Sequence, residues 1–278
     1  MTYASTSSTL KVPGATIYYE VRGAGPALLI IAGGPQDAGV FAELAAHLAE
    51  HYTVVTYDLR GNSRSPFDGE LEALQLDVQG DDAARLLEAL EDGPAYVFGT
   101  SGGAQIGLNL TARYPERVRA LVAHEPPTVM LLDDPAALAA DQELYDTCRR
   151  DGVEAAMALF FGMNGLEDAS APEEAPEFAM SPEAAETLAR VGGNFEYWLA
   201  HGMMPLSRYL PDIDILRAGQ ARVVVALGEA SAGQPIYEMG TALAARLETE
   251  AHIFPGDHMG FGPEAEGFAE ALHRALRE

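Results

Sequence analysis

The segment Gly99-Thr100-Ser101-Gly102-Gly103 sets a serine among small residues, directly after the apolar run Ala95–Phe98 and before a helical pattern over Gln105–Arg113. A Gly-x-Ser-x-Gly string alone says little, because glycine and serine are common. Its setting says more. Strand, turn and helix in succession form the context in which a sharp turn lifts a serine hydroxyl above the end of a sheet. Such a turn strains the serine backbone and admits only small neighbours. Amides at the start of the following helix favour negative charge developing beside the serine. Ser101 is read as a nucleophile.

A serine nucleophile needs a base. Of the seven histidines, His47 and His51 fall on or beside an early helix and His273 on the last one. His252 lies within the last strand, His124 ends an earlier one, and His201 reads as a surface position. His258 alone stands in a loop just past a strand, in the context Gly-Asp-His-Met-Gly, and is taken as the base. The single cysteine, Cys148, adjoins Arg149 and Arg150, which favour a thiolate. It has no histidine near it in sequence, so a structural role is expected.

These residues must be positioned by a sheet. Strands are expected at Thr16–Val21, Ala27–Ala32, Thr53–Tyr57, Ala95–Phe98, Val118–His124, Arg222–Leu227 and Ala251–Phe254. Helices are expected at Phe41–Glu50, Gln75–Glu91, Gln105–Arg113, Tyr237–Leu247 and Pro263–Leu276, where apolar residues recur on one face. The "RGAGP" turn joins the first two of these strands as a hairpin would. It lacks the third glycine of a dinucleotide fingerprint, Leu28 standing in its place. Nearly continuous apolar strands alternating with helices indicate an α/β fold with a mostly parallel, doubly wound sheet covered on both faces. The alternation stops between about Pro126 and Leu216, a stretch too long for a plain loop. It contains the acidic run "LEDASAPEEAPEFAMSPEAAE", then Phe195, Tyr197, Trp198 and Tyr209. A helical cap over residues 128–215 is expected, with residues 1–127 and 216–278 as the core.

Composition narrows the partners. With 17 basic against 42 acidic residues the net charge is −25, which repels nucleic acid and anionic membranes and argues against a strongly anionic substrate. No apolar run is long enough to span a bilayer. The amino terminus does not read as a secretory signal, and one cysteine fits a reducing cytoplasm. No metal-ligand spacing, phosphate loop or flavin signature is present, so no cofactor is expected. Homodimerisation stays open.

Several motifs in order resemble the α/β-hydrolase superfamily, serine-nucleophile branch. "IIAGGPQD" sits where that family has its His-Gly oxyanion loop, with Ala32 in place of the histidine. "TYDLRGNSRS" resembles the segment after its fourth strand, "PERVRALV" the approach to the sixth, and "FPGDHMGF" the catalytic-histidine loop. The resemblance implies an oxyanion hole made by the Gly102 N–H and one from Gly33 or Gly34. It also raises a difficulty, because the loop after "VVVALG" usually supplies the acid and Ser231 occupies that place. Glu229 lies beside the vacant place and Asp257 adjoins the histidine. Glu125 follows "LVAH" at the end of the sixth strand, on the same sheet edge as Ser101, where adjacent parallel strands share one crevice. Pro126 and Pro127 stiffen the chain behind it. This placement resembles that of the fungal zearalenone lactonases, whose Ser–His–Glu triad has its glutamate there and whose cap tryptophan contacts substrate. Glu125 is preferred as the acid.

The expected activity is cleavage of a small apolar carboxylic ester or lactone through an acyl-enzyme, with Phe195, Tyr197, Trp198, Met203 and Met204 lining an apolar pocket. Packing of the cap onto the core is the alternative role for those side chains. A thioesterase, a carbon–carbon bond hydrolase or a cofactor-free perhydrolase would use the same triad. A ligand-binding protein on the same fold is the rival from another class.

Overall fold

A computed structural model describes residues 3–90, 93–132, 134–163 and 181–278. Its centre is an eight-stranded sheet in the order β1-β2-β4-β3-β5-β6-β7-β8. The strands are β1 (Thr6–Val12), β2 (Ala15–Gly23), β3 (Ala27–Ile31), β4 (Thr53–Tyr57), β5 (Ala95–Thr100), β6 (Val118–His124), β7 (Arg222–Gly228) and β8 (His252–Phe254). β1, β2 and β4 pair antiparallel, and β4 through β8 run parallel.

The parallel strands read as unbroken apolar runs because both faces are covered. Along β3, Leu29 and Ile31 enter one core, while Leu28 and Ile30 enter the other, each with at most 1% exposure. Alternation of side chains along a strand produces that division. Helices α2 (Leu76–Leu90), α3 (Gly102–Arg113) and the later α9 (Pro235–Leu247) close the first face with Leu86, Leu87, Ile106, Leu110 and Leu243. Helices α1 (Ala42–Leu48) and α10 (Ala265–Arg277) close the second with Leu44, Leu48, Phe268 and Leu272. Each such side chain, fully buried, is worth about 1.5–3 kcal/mol.

One sequence expectation is corrected. The "RGAGP" turn is not a hairpin turn: β2 pairs with β1 and β4, and β3 pairs with β4 and β5. Gly23 and Gly25 have φ of +88° and +129°, and a Cβ on either would strike the backbone around Tyr52. These glycines serve a close crossing. The hairpin instead joins β1 to β2, and β1 had no counterpart in the sequence reading.

Between β6 and β7 the chain inserts α4 (Pro135–Asp151), α5 (Val153–Met163), α6 (Pro182–Tyr197), a π-turn over Trp198–Gly202, α7 (Met203–Ser207) and α8 (Ile213–Ala218). Leu144, Ala156, Leu199 and Met203 form a separate small core there, joined by Cys148, Phe195 and Met204. Residues 166–180 of the acidic run lie outside the described residues. No helix among the described residues is long and apolar enough to cross a membrane.

Candidate active site

Ser101 sits between β5 and α3 with φ 54° and ψ −128°. Positive φ is costly for a residue with a side chain. Among the described residues only Ser63, Ser101, Glu125 and Glu248 adopt it without being glycine. The turn survives because its neighbours leave no room for alternatives. A Cβ on Gly103 would run into the carbonyl oxygens of Ile31 and Ala32, and one on Gly99 into the backbone of Gly103 and Ala104. No side chain caps α3, so its first amides stay available to a ligand. The Ser101 N–H donates to the His124 carbonyl at 2.9 Å, tying the turn to the end of β6. Ser101 Oγ makes no hydrogen bond among the described residues. Such bonds commonly tighten only around a substrate.

Glu125 follows β6 with φ 42° and no solvent exposure. Its Oε1 accepts from the Gly228 N–H at 2.8 Å, and its Oε2 lies 2.8 Å from His258 Nδ1. Its own N–H donates to the Ala226 carbonyl at 3.0 Å, so the residue is held by the end of β7 at two points, one on its backbone and one on its carboxylate. Burial pushes the Glu125 pKa up. The hydrogen bond with His258, the neighbouring imidazoles and the Gly228 amide outweigh it and hold the carboxyl below its usual range. His258 comes from the loop after β8 and is 32% exposed in its side chain.

The alternatives for the acid lie elsewhere. Glu229 is exposed, and the Asp257 carboxylate accepts from the Met259 N–H at 2.8 Å. Ser231 is fully buried, and its Oγ has no partner among the described residues.

The loop Ala32–Asp37 faces the Ser101 turn. A Cβ on Gly33 would meet the Thr100 carbonyl oxygen at 2.6 Å and Ser101 Cβ at 2.7 Å, so only glycine fits. The Gly33 N–H is already spent, donating to Gln36 Oε1 at 3.2 Å. The Gly34 N–H has no partner among the described residues. It lies 3.6 Å from where a Gly102 Cβ would be. The two unspent amides beside Ser101 are therefore those of Gly34 and Gly102.

The aromatic and methionine residues of the insertion separate. The Trp198 ring comes within 3.5 Å of a Cβ on Gly34, and its Nε1 is buried without a partner among the described residues. Tyr197 packs on Phe67 and donates its hydroxyl to the Glu72 carbonyl at 3.0 Å. Phe195 and Met203 belong to the inserted helices' own core. Met204 lines a cavity of about 470 Å³ with Met130, Leu138 and Arg208. His201 is partly buried and stacks on Tyr197 with ring centroids 5.6 Å apart. Burial pushes the Cys148 thiol up, and nearby Glu196 adds to that, against the expected pull of Arg149.

Four residues around the site were not singled out in the sequence. Leu206 of α7 would contact a Cβ on Gly102 at 3.0 Å. Gln105 Nε2 donates to the carbonyls of Pro127 at 3.1 Å and Leu206 at 3.0 Å, joining α3, the Glu125 loop and α7. Asn62 Nδ2 donates to the Gly34 carbonyl at 3.1 Å, and Asn194 Nδ2 to that of Pro35 at 2.8 Å. Polar residues flanked by alanine or glycine carry no sequence signal for such bonds. His124, dismissed as a base, stacks on His258 with centroids 6.1 Å apart and lies 2.9 Å from Thr100 Oγ1 through Nδ1. Burial first, then His258, push its pKa down to about 3, so the ring is neutral.

A sheet of this order, with a strained serine between β5 and a helix and a histidine after β8, defines a class of protein. Residues 26–164 match the family described as alpha/beta hydrolase fold. The uncharacterized hydrolase YraK of Bacillus subtilis is 37% identical over 276 residues, covering 98% of this chain and 96% of that protein. The zearalenone hydrolase of Bionectria ochroleuca is 28% identical, covering 95% of this chain and 96% of its own. A thermophilic esterase from Thermogutta terrifontis superposes with a TM-score of 0.73 at 19% identity, covering 99% and 98% of the two chains. The chain belongs to the α/β-hydrolase fold family, as a hydrolase of that superfamily.

Proposed function

We propose that this hydrolase cleaves carboxylic esters or lactones through a covalent acyl-enzyme. Ser101 Oγ attacks the carbonyl carbon while His258 removes its proton, and the amides of Gly34 and Gly102 receive the oxyanion. Glu125 holds the imidazole tautomer and stabilises the imidazolium. His258 then protonates the departing alkoxide, and water attacks the acyl-enzyme with the same histidine as base, regenerating Ser101. Residues 128–215 act as a cap over this centre and residues 1–127 with 216–278 as the core. Trp198 and Leu206 give the acyl site an apolar wall. No cofactor enters, so a chelator is expected to leave the rate unchanged.

The observation that carries this reading is the buried Glu125 carboxylate 2.8 Å from His258 Nδ1, on the sheet edge where Ser101 stands. A carboxylate at that strand end and the identity to the zearalenone hydrolases over nearly the whole chain favour a macrolactone among the candidate substrates. The test is acid release from a resorcylic macrolactone and a series of aryl esters, with wild type and Ser101→Ala. Turnover that vanishes in Ser101→Ala supports the serine mechanism. Undiminished turnover in that variant overturns it. Binding without turnover in the wild type points to a receptor instead.

A further inference from the structure

The loop that offers the Gly34 amide is shaped by one tight turn of its own, Gln36 closing on Gly33 through backbone and side chain, and beyond that turn by its neighbours. Gly33 and Gly34 have no side chains, Gly34 has φ +51°, and Pro35 has no N–H. The Gln36 N–H donates to the Gly33 carbonyl at 3.0 Å and so pins the Gly33–Gly34 peptide from within, while the carbonyls of Gly34 and Pro35 and the Asp37 carboxylate are held by bonds made from outside.

Those bonds come from three places, one of them the Met259 Sδ beside His258, which accepts from Gln36 Nε2 at 3.4 Å. Asn62, on the core, holds the carbonyls of Gly34 at 3.1 Å and Gln36 at 3.3 Å. The others come from α6 of the insertion. Asn194 Nδ2 donates to the Pro35 carbonyl at 2.8 Å and is also 2.8 Å from Ser63 Oγ. Asn194 Oδ1 accepts from the Ser63 N–H at 2.8 Å, and Ser63 has φ 46°. One turn earlier on α6, Arg190 Nε donates to Asp37 Oδ2 at 2.6 Å, with Asp37 completely buried. Asn194 itself is 6% exposed. Two residues of one helix thus grip both ends of the three-residue stretch Pro35–Asp37, and one of them also satisfies a strained backbone position on the core.

We infer that Asn194, with Arg190 beside it, is a positioning residue for the oxyanion site, so that docking of α6 on the core and assembly of the Gly34 donor are one event. The inference rests on the acyl-transfer reading above. Asn194 touches no reacting atom, and its effect passes from the Pro35 carbonyl through the intervening Gly34–Pro35 peptide to the Gly33–Gly34 peptide that carries the donor. Helix α6 is therefore coupled to transition-state stabilisation and not only to substrate enclosure. An amide in the oxyanion hole contributes to the rate because it is already aimed when charge develops. Loosening its aim costs kcat with little change in KM.

The experiment compares wild type, Asn194→Ala, Asn194→Asp and Ser101→Ala on an aryl ester. It adds the affinity of a trifluoromethyl ketone and of the alcohol of the same shape, with melting curves for every variant. The ketone forms an oxyanion with Ser101 and the alcohol does not. Asn194→Asp keeps an acceptor for the Ser63 N–H but loses the donor to Pro35, so it separates docking from loop control. Both Asn194 variants are expected to lose about tenfold to a hundredfold in kcat while KM shifts by less than about threefold. The preference for ketone over alcohol should fall by the same factor as kcat. Asn194→Asp is expected to melt nearer to wild type than Asn194→Ala. The inference is overturned if Asn194→Asp keeps wild-type kcat, if only KM moves, or if kcat falls while the ketone preference stays. Full activity in Ser101→Ala would instead sink the acyl-transfer reading, and the inference with it. A dead Ser101→Ala beside a wild-type Asn194→Asp would sink the inference alone.

Discussion

Glu125 Oε2 and His258 Nδ1 stand 2.8 Å apart across 133 residues of sequence, the carboxylate sealed from solvent and the imidazole 32% exposed. A sealed carboxylate at Nδ1 keeps that nitrogen's proton in place and leaves the ring's other nitrogen to accept one. Glu125→Gln keeps the acceptor for the Gly228 N–H but offers an amide N–H to His258 Nδ1, leaving the proton on the ring's other nitrogen. The imidazole can then no longer take the Ser101 proton. We expect kcat to fall by on the order of 10³ to 10⁴ with an unchanged fold. Steady-state kinetics beside a melting curve measure this, and an unaltered kcat would return Glu125 to a structural role.

Most strands were legible because burial on both faces turns them into apolar runs. β1 was not, since TSSTLKV is mostly exposed and joins the sheet through backbone pairing that leaves no pattern in side chains. The misread turn at Gly23–Gly25 has the same origin: β4, far along the chain, comes between β2 and β3. The position of Glu125 could be reasoned from a strand end and the parallel order of β5 and β6. The choice between Gly33 and Gly34 could not, because it turns on Gln36 folding back onto the Gly33 amide. Nor could the grip of Asn194 and Arg190 on the loop be seen, since polar residues on an amphipathic helix read as its solvent face.

The buried His124 gives stability a particular pH dependence. In the folded chain burial holds its pKa near 3, against an ordinary value of 6.5. Below that ordinary value the unfolded chain binds a proton that the folded one refuses, so the folded state loses stability as pH falls from about 6.5 toward about 3. The lowered pKa of Glu125 acts in the same direction further down. His124→Asn, which retains a polar partner for Thr100 Oγ1, is expected to flatten the decline over about pH 6.5 to 4.5. Melting temperatures of both proteins across that range measure the difference. Parallel curves would show that His124 does not control it.

Gly102 and Gly103 differ in what a methyl group would meet. At Gly103 it would meet the backbone of Ile31 and Ala32, which the sheet holds in place; at Gly102 it would meet Leu206 Cδ1 at 3.0 Å, the far end of a side chain. Gly103→Ala is expected to cost more than about 3 kcal/mol and to yield little soluble protein. Gly102→Ala should fold, melting within a few degrees of wild type, and lose rate because the methyl crowds the proposed oxyanion site. Comparable melting of the two variants would contradict the packing argument.

The place left by the missing acid is itself a test of the architecture. Ser231 is buried with its Oγ unpartnered, in the turn that directly follows Gly228, the residue whose amide holds Glu125. The neighbouring Ala230 N–H donates to the Gly256 carbonyl at 2.9 Å, so the turn is tied to the loop that carries His258. In wild type, Ser231→Asp would bury a second carboxylate near the first, and like charges so close resist ionising together. That single variant is expected to be less stable and no faster. In a Glu125→Ala background the repulsion is gone, and Asp at 231 can serve as the imidazole's partner. The double variant is expected to recover at least about tenfold of the rate that Glu125→Ala loses. Recovery measured on the same aryl ester would show that the sheet edge accepts the acid from either of two neighbouring strands. No recovery, in a double variant that folds, would mean the β7 turn cannot reach His258 and that only the β6 strand end can supply the carboxylate.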